Sequence, residues 1–233
     1  MALPKKKDKR SANIQDALIF VYGEPGTGKT TLACGSEEPL LLHTPSAGHK
    51  VVTAYKQAIG NLDDLRSVLG ELLEGKSDYT SIALDMMGDI VSMCEDEVIA
   101  EYNAKSSKKE AKVLADIPHG AGWSTLKNKV TRIMAALARV AGLPKSGPVV
   151  VTSHTKTKKF ETTFPYDQVV PEFSDSVREK VMGMCDIVGL VYMNKEGNRR
   201  IKLKASKDHY AKNRLSGHED IDCTWAALSN LDK

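Results

Sequence analysis

The chain has 233 residues, 41% hydrophobic and 27% charged, with a formal charge of +3. That length suits one α/β domain with a full core or two small ones, and so small a charge excludes a nucleic-acid argument unless basic residues cluster. No run approaches the roughly 18 apolar residues of a membrane helix, and Cys34, Cys94, Cys185 and Cys223 stand singly, outside any metal-ligand spacing. A soluble cytoplasmic protein with reduced thiols and no membrane partner is expected.

In chain order, "MALPKKKDKRSAN" carries Lys5, Lys6, Lys7, Lys9 and Arg10 and almost nothing apolar. Residues 1–13 read as a basic flexible tail, with phosphate-backbone contact or a nuclear address as the other readings. "DALIFVY" (16–22) is a short apolar strand that runs into "GEPGTGKT" (23–30), with a helix starting at Lys29. "EPLLLHT" (38–44) is a second strand. Leu62, Leu65, Leu69, Leu72 and Leu73 set a helix over 61–75 that stops at Gly75. "YTSIALD" (79–85) is a third strand ending in an aspartate. "DIVSMCEDEVIAEYNA" has a helical apolar face, and "KSSKKEAK" (105–112) turns polar and basic, so a mobile surface insertion is expected over 105–119.

The next helix places Trp123, Leu126, Val130, Ile133, Met134, Leu137 and Ala141 on one face and closes at Gly142 and Pro144. "GPVVVTSH" (147–154) is a fourth strand, apolar enough to be covered on both faces. "TKTKKFETTFPYDQVVPEF" (155–173) reads as a long polar loop. Ser174 caps a further helix, in which Ser176 and Glu179 have capping-box spacing. "DIVGLVYM" (186–193) and "RRIKLKA" (199–205) are strands joined by the turn "NKEGN", and the tail is helical near Trp225. With no repeat and no linker, residues 14–233 are expected to form a single domain.

The stretch 23–30 has the spacing of a phosphate-binding loop: Gly23, Glu24, Pro25, Gly26, Thr27, Gly28, Lys29, Thr30, then Thr31. Glycines let successive backbone N–H groups turn inward around a phosphate. Lys29 stands where an amine must reach the β- and γ-oxygens, and Thr30 where a hydroxyl must ligate Mg2+. The helix that follows adds its N-terminal partial charge. Asp85 ends a strand where the second metal-holding acid belongs, or else it caps the next helix; Asp89 is the weaker substitute. His154 ends another strand, where ligands of parallel sheets lie. It senses the γ-phosphate there or is a structural histidine.

Taken together, "LIFVYGEPGTGKTTLA", "SIALD", "VVVTSH" and "AKNRLSG" resemble the RecA-like ATP-binding proteins common in bacteriophages, over roughly residues 16–217. The resemblance implies an α/β RecA-like P-loop core, with a mostly parallel sheet flanked by helices and a C-terminal β-hairpin. It implies ATP and Mg2+ as cofactors, assembly into rings or filaments, and work in recombination, repair or replication, including single-strand annealing. The host cytoplasm is then the expected location, and a single-strand-binding or replication protein a further partner. It assigns Gly23, Gly28, Lys29, Thr30, Asp85 and His154 to the nucleotide, and Lys212 and Arg214 to a pair that reaches a neighbouring subunit's γ-phosphate. A solvated loop is the other reading of that pair. One departure stands out. Pro45 occupies the place after the second strand where the family has a water-orienting glutamate, leaving Glu24 or Asp85 to serve, or hydrolysis slow.

Lys156, Lys158 and Lys159, then Phe160, Phe164 and Tyr166, follow His154. Basic residues that track a backbone and aromatics that stack on bases point to single-stranded DNA; a loop clipped to its own domain is the other reading. The leading function is a DNA-stimulated ATPase. The alternative is a nucleotide-gated scaffold or loader that binds a protein partner with little or no hydrolysis, which Pro45 favours. A small-molecule kinase is weakest, because no arginine-rich lid is present.

Overall fold

The computed structural model describes residues 13–105, 110–144 and 146–232. The basic tail read over 1–13 lies, except for Asn13, outside the described residues. In the first strand, β1 (Leu18–Gly23), every residue is buried. Side chains alternate between faces of a strand: Leu18, Phe20 and Tyr22 join one hydrophobic cluster, and Ile19 and Val21 join another on the opposite face. Coverage on both sides is why the run is apolar without alternation.

After β1 come α1 (Lys29–Ala33), β2 (Pro39–His43), β3 (Tyr55–Ala58), α2 (Leu62–Leu73), β4 (Ser81–Asp85) and α3 (Met87–Lys105). Then follow α4 (Ala121–Ala141), β5 (Val149–Ser153), β6 (Thr155–Phe160), β7 (Tyr166–Pro171) and α5 (Asp175–Met184). The chain ends through β8 (Ile187–Met193), β9 (Arg199–Lys202), β10 (Lys212–Asn213), β11 (Asp220–Asp222) and α6 (Trp225–Leu228). Among the described residues one sheet has the order β11-β9-β8-β1-β5-β4-β2-β3, with β10 also on β8. Pairings from β8 through β3 are parallel, whereas β8–β9, β9–β11 and β8–β10 are antiparallel. Helices α2 to α5 cover one face, and α1 and α6 pack on the other. The expected α/β core with a mostly parallel sheet and a C-terminal hairpin is the fold observed.

Helix α2 shows local sequence and packing agreeing. Asn61 accepts from the backbone of Asp63 and Asp64 at 2.9 Å each, and Asp64 accepts from Asn61 N–H at 3.2 Å. That capping box is worth about 1 kcal/mol, and Leu62, Leu65, Leu69 and Leu72 are buried beneath it.

Five expectations need correction. Residues 155–173 are no irregular loop: β6 and β7 pair antiparallel as a separate hairpin. Strand β3 was not anticipated, because all four of its residues are exposed on the sheet edge. Residues 110–119 are packed rather than a loose insertion. Ala111, Leu114 and Ile117 are buried, and the Asn103 side chain bonds both the N–H and the carbonyl of Ala111 at 2.9 Å; residues 106–109 lie outside the described set. Trp123 is 42% exposed because the buried stripe of α4 begins instead at Gly122. A Cβ there would lie 2.8 Å from the Leu114 carbonyl oxygen, so glycine lets the segment pack. Ser174 holds the N-cap position of α5 without a side-chain cap bond, and Ser176 and Glu179 lie inside the helix.

Candidate nucleotide-binding site

The parallel order brings the carboxyl ends of β1, β5 and β4 side by side, where ligands of such sheets bind. The loop after β1 turns through Gly26 (φ +79°) and Gly28 (φ +96°), backbone that side chains rarely adopt. A Cβ on Gly23 would lie 2.4 Å from the Val191 carbonyl oxygen. The buried Thr27 closes the turn through its hydroxyl, donating to Glu24 O at 2.8 Å. Helix α1 has only five residues, so a phosphate here would depend on the loop's own N–H groups rather than on a long helix dipole.

Lys29 is buried and its Nζ donates to Gly23 O and Glu24 O, each at 2.9 Å. Burial lowers its pKa, against the opposing pull of Asp85 and Glu24. Beside it, Thr30 Oγ1 donates to Asp85 Oδ2 at 2.7 Å, and Thr152 donates to Asp85 Oδ1. The hydroxyl and the carboxylate assigned to Mg2+ therefore meet, although 55 residues separate them. Among the described residues no group of three or more His, Cys, Asp or Glu could hold a metal. The donor set here, one hydroxyl and one carboxylate, suits Mg2+, which takes its remaining ligands from phosphates and water.

Lys29, Thr30 and Asp85 line a cavity of about 450 Å3 with Pro25, Gly26, Gly28, Thr31 and His154. His154 follows β5 and lines the cavity, and its Nδ1 is buried without a partner among the described residues. A larger cleft of about 760 Å3 between β3 and α2 shares no residue with the loop. Glu38, Glu71, Glu74 and Asp78 line that cleft, a setting that repels phosphate.

The hairpin starts one residue after His154. Thr155 donates to the carboxylate of Glu24, so the phosphate loop and the hairpin are joined directly. Of the four DNA candidates, Lys159 is exposed and Lys156 half-buried. Lys158 pairs with Asp175 at 2.5 Å and sits 4.4 Å over the Phe160 ring, which stacks on Tyr166 at 4.8 Å. Hydrogen bonding from Lys158, and less so from Arg178, holds the Asp175 carboxyl below its ordinary pKa against the opposing effect of burial. Phe164 at the tip is 79% exposed.

Lys212 and Arg214 do not join this cavity. Strand β10 pairs with Ile187 and Val188, at the end of the sheet where β1 and β8 begin. Lys212 Nζ donates to Met182 O at 2.7 Å and Gly183 O at 3.3 Å, and Arg214 Nη2 to Gly183 O at 3.2 Å. Both cap the carboxyl end of α5, where cations are favourable. Burial lowers the Lys212 pKa, and Arg214 adds to the shift.

Sequence reasoning missed two features. Arg199, read as the start of a strand, lines the cavity; a Cβ on Gly28 would lie 3.1 Å from its Cδ. Its position depends on β9 pairing with β8, which no local pattern announces. Asp89 accepts hydrogen bonds from Thr44 and Ser46, on either side of Pro45. Asp89 was in view only as a metal acid, and nothing local links it to a turn more than 40 residues away.

Residues 15–215 match the family model described as AAA domain. Among solved structures, the RadB recombinase is similar at 15% identity with a TM-score of 0.48, covering 82% of this chain and 81% of that chain.

Proposed function

This chain belongs to the AAA domain family, and we propose that it binds ATP with Mg2+ and couples hydrolysis to single-stranded DNA on the β6–β7 hairpin. One observation carries the reading: Lys29, Thr30, Asp85 and His154 converge on one cavity, and the hairpin is tied to its wall through Glu24 and Thr155. The loop's N–H groups bind the phosphates, and Lys29 leaves its two carbonyls for the phosphate oxygens. Thr152 keeps Asp85 oriented, and Thr30 and Asp85 would hold Mg2+. When bound, Mg2+ would supply charge neutralisation to the phosphates. A ring N–H of His154 donates to the γ-phosphate, and movement there reaches Thr155, the first residue of the hairpin. Lys156, Lys158 and Lys159 then track a DNA backbone while Phe160 offers a face to a base.

On this reading residues 14–233 act as one domain. Copies assemble in a ring or filament, with Lys212 and Arg214 released from α5 to meet a neighbour's γ-phosphate. Recombination, repair or replication is the setting, as in the phage proteins the sequence resembles, with a single-strand-binding or replication protein as a further partner. No helix among the described residues is long and apolar enough to cross a membrane. The test is ATP turnover by purified protein with Mg2+, with and without single-stranded DNA; DNA-stimulated turnover is expected. A second reading, a nucleotide-gated scaffold with little hydrolysis, is favoured by Pro45. ATP binding without turnover in either condition would select it.

A further inference from the structure

The turn after β2 has Pro45 where an acid is expected, yet an acid stands beside it. His43 pairs with Asp85 across β2 and β4, and Thr44 N–H donates to Asp85 O at 2.8 Å, so this turn is fixed against the end of β4. Met86 N–H donates to Thr44 Oγ1 at 3.1 Å. The hydroxyls of Thr44 and Ser46 both converge on Asp89 Oδ2, from the first turn of α3. Ser46 in turn lines the same cavity as Lys29, Thr30, Asp85 and His154.

The other acids near the cavity are already engaged. Asp85 holds Thr30 and Thr152 on its two oxygens, and Glu24 holds Thr155. Ser46 differs in kind. A serine hydroxyl has one proton and two lone pairs. Its proton is directed to Asp89, which turns acceptor capacity toward the cavity.

We propose that Ser46 and Asp89 together replace the carboxylate missing at position 45. Ser46 touches the attacking water, and Asp89 is the positioning residue that fixes Ser46 and receives the relayed proton. The water oxygen bonds to the γ-phosphorus as the bond from that phosphorus to the β,γ-bridging oxygen breaks. ADP leaves with the electron pair. The water proton passes to Ser46 Oγ as the Ser46 proton passes to Asp89. This assignment rests on the ATP-hydrolysis reading above.

The experiment measures ATP affinity and steady-state kinetics, with and without single-stranded DNA, for wild type, Ser46→Ala, Asp89→Asn and the double variant. Thermal unfolding checks each fold, and Ser46→Ala, on an exposed turn, carries the test if Asp89→Asn is unstable. Each single variant is expected to lower kcat by about 100-fold, with KM and ATP affinity held within about 2-fold. The double variant should be no worse than either single one, as for residues acting as a unit. Asp89→Glu should restore part of kcat. Turnover near wild type in Ser46→Ala overturns the proposal, as does a loss of ATP affinity matching the loss of kcat. Wild type that binds ATP without turnover in either condition also overturns it, leaving nucleotide binding intact. Wild type that binds no ATP overturns the reading beneath it, and this assignment with it.

Discussion

Two lysines sit at opposite ends of the same sheet and look alike in isolation. Lys29 and Lys212 each donate to two backbone carbonyls, and burial lowers the pKa of each. Their surroundings differ. Lys29 lies beside a hydroxyl–carboxylate pair in a cavity that His154 also lines, whereas Lys212 closes the carboxyl end of α5. A lysine folded onto carbonyls is a binding group only where a ligand can take the place of those carbonyls.

The comparison breaks most sharply at Lys29. Lys29→Ala should weaken ATP binding about 100-fold, the worth of one or two charge-assisted hydrogen bonds, measured by calorimetric titration. Retained affinity would dissolve the distinction between the two ends. Asp85→Asn should remove most of the Mg2+ dependence of ATP affinity while leaving the metal-free affinity within about 3-fold, because an amide oxygen binds Mg2+ poorly. Next comes Arg199→Ala. Loss of a guanidinium over the loop should weaken ATP by about 10-fold, read in the same titration.

Lys212→Met should do the reverse in the unassembled protein, leaving ATP affinity there unchanged and lowering unfolding free energy by about 1 kcal/mol through the lost carbonyl contacts, read by urea denaturation. The smallest effect is in its pH dependence. The folded pKa of Lys212 lies below the ordinary value of about 10.4, so between the two the unfolded chain binds more protons and stability rises with pH. Wild type should show that rise below about pH 10.4, and Lys212→Met should show less of it.

The two ends also differ in how far sequence exposes them. The loop at 23–30 is legible because its chemistry is local: glycines, an amine and a hydroxyl in consecutive order, directly after an apolar strand. Asp85 and His154 are legible because each closes a strand whose buried run marks its end. Arg199 and the Ser46–Asp89 pair are not, since each depends on which strands become neighbours. The β6–β7 hairpin escaped because its residues are polar and partly exposed, so no apolar alternation marks it. The contacts of Lys212 with α5 escaped because they are to backbone carbonyls 29 and 30 residues away, which no side-chain pattern encodes.

The most direct measurement is the affinity of fluorescent single-stranded DNA by anisotropy, in a non-hydrolysable ATP analogue, in ADP and without nucleotide, for wild type and Glu24→Gln. Wild type should bind DNA at least about 10-fold tighter with the analogue, a coupling of about 1.4 kcal/mol, and Glu24→Gln should lose most of that difference while still binding the analogue. DNA affinity indifferent to nucleotide in wild type would contradict the coupling of the cavity to the hairpin.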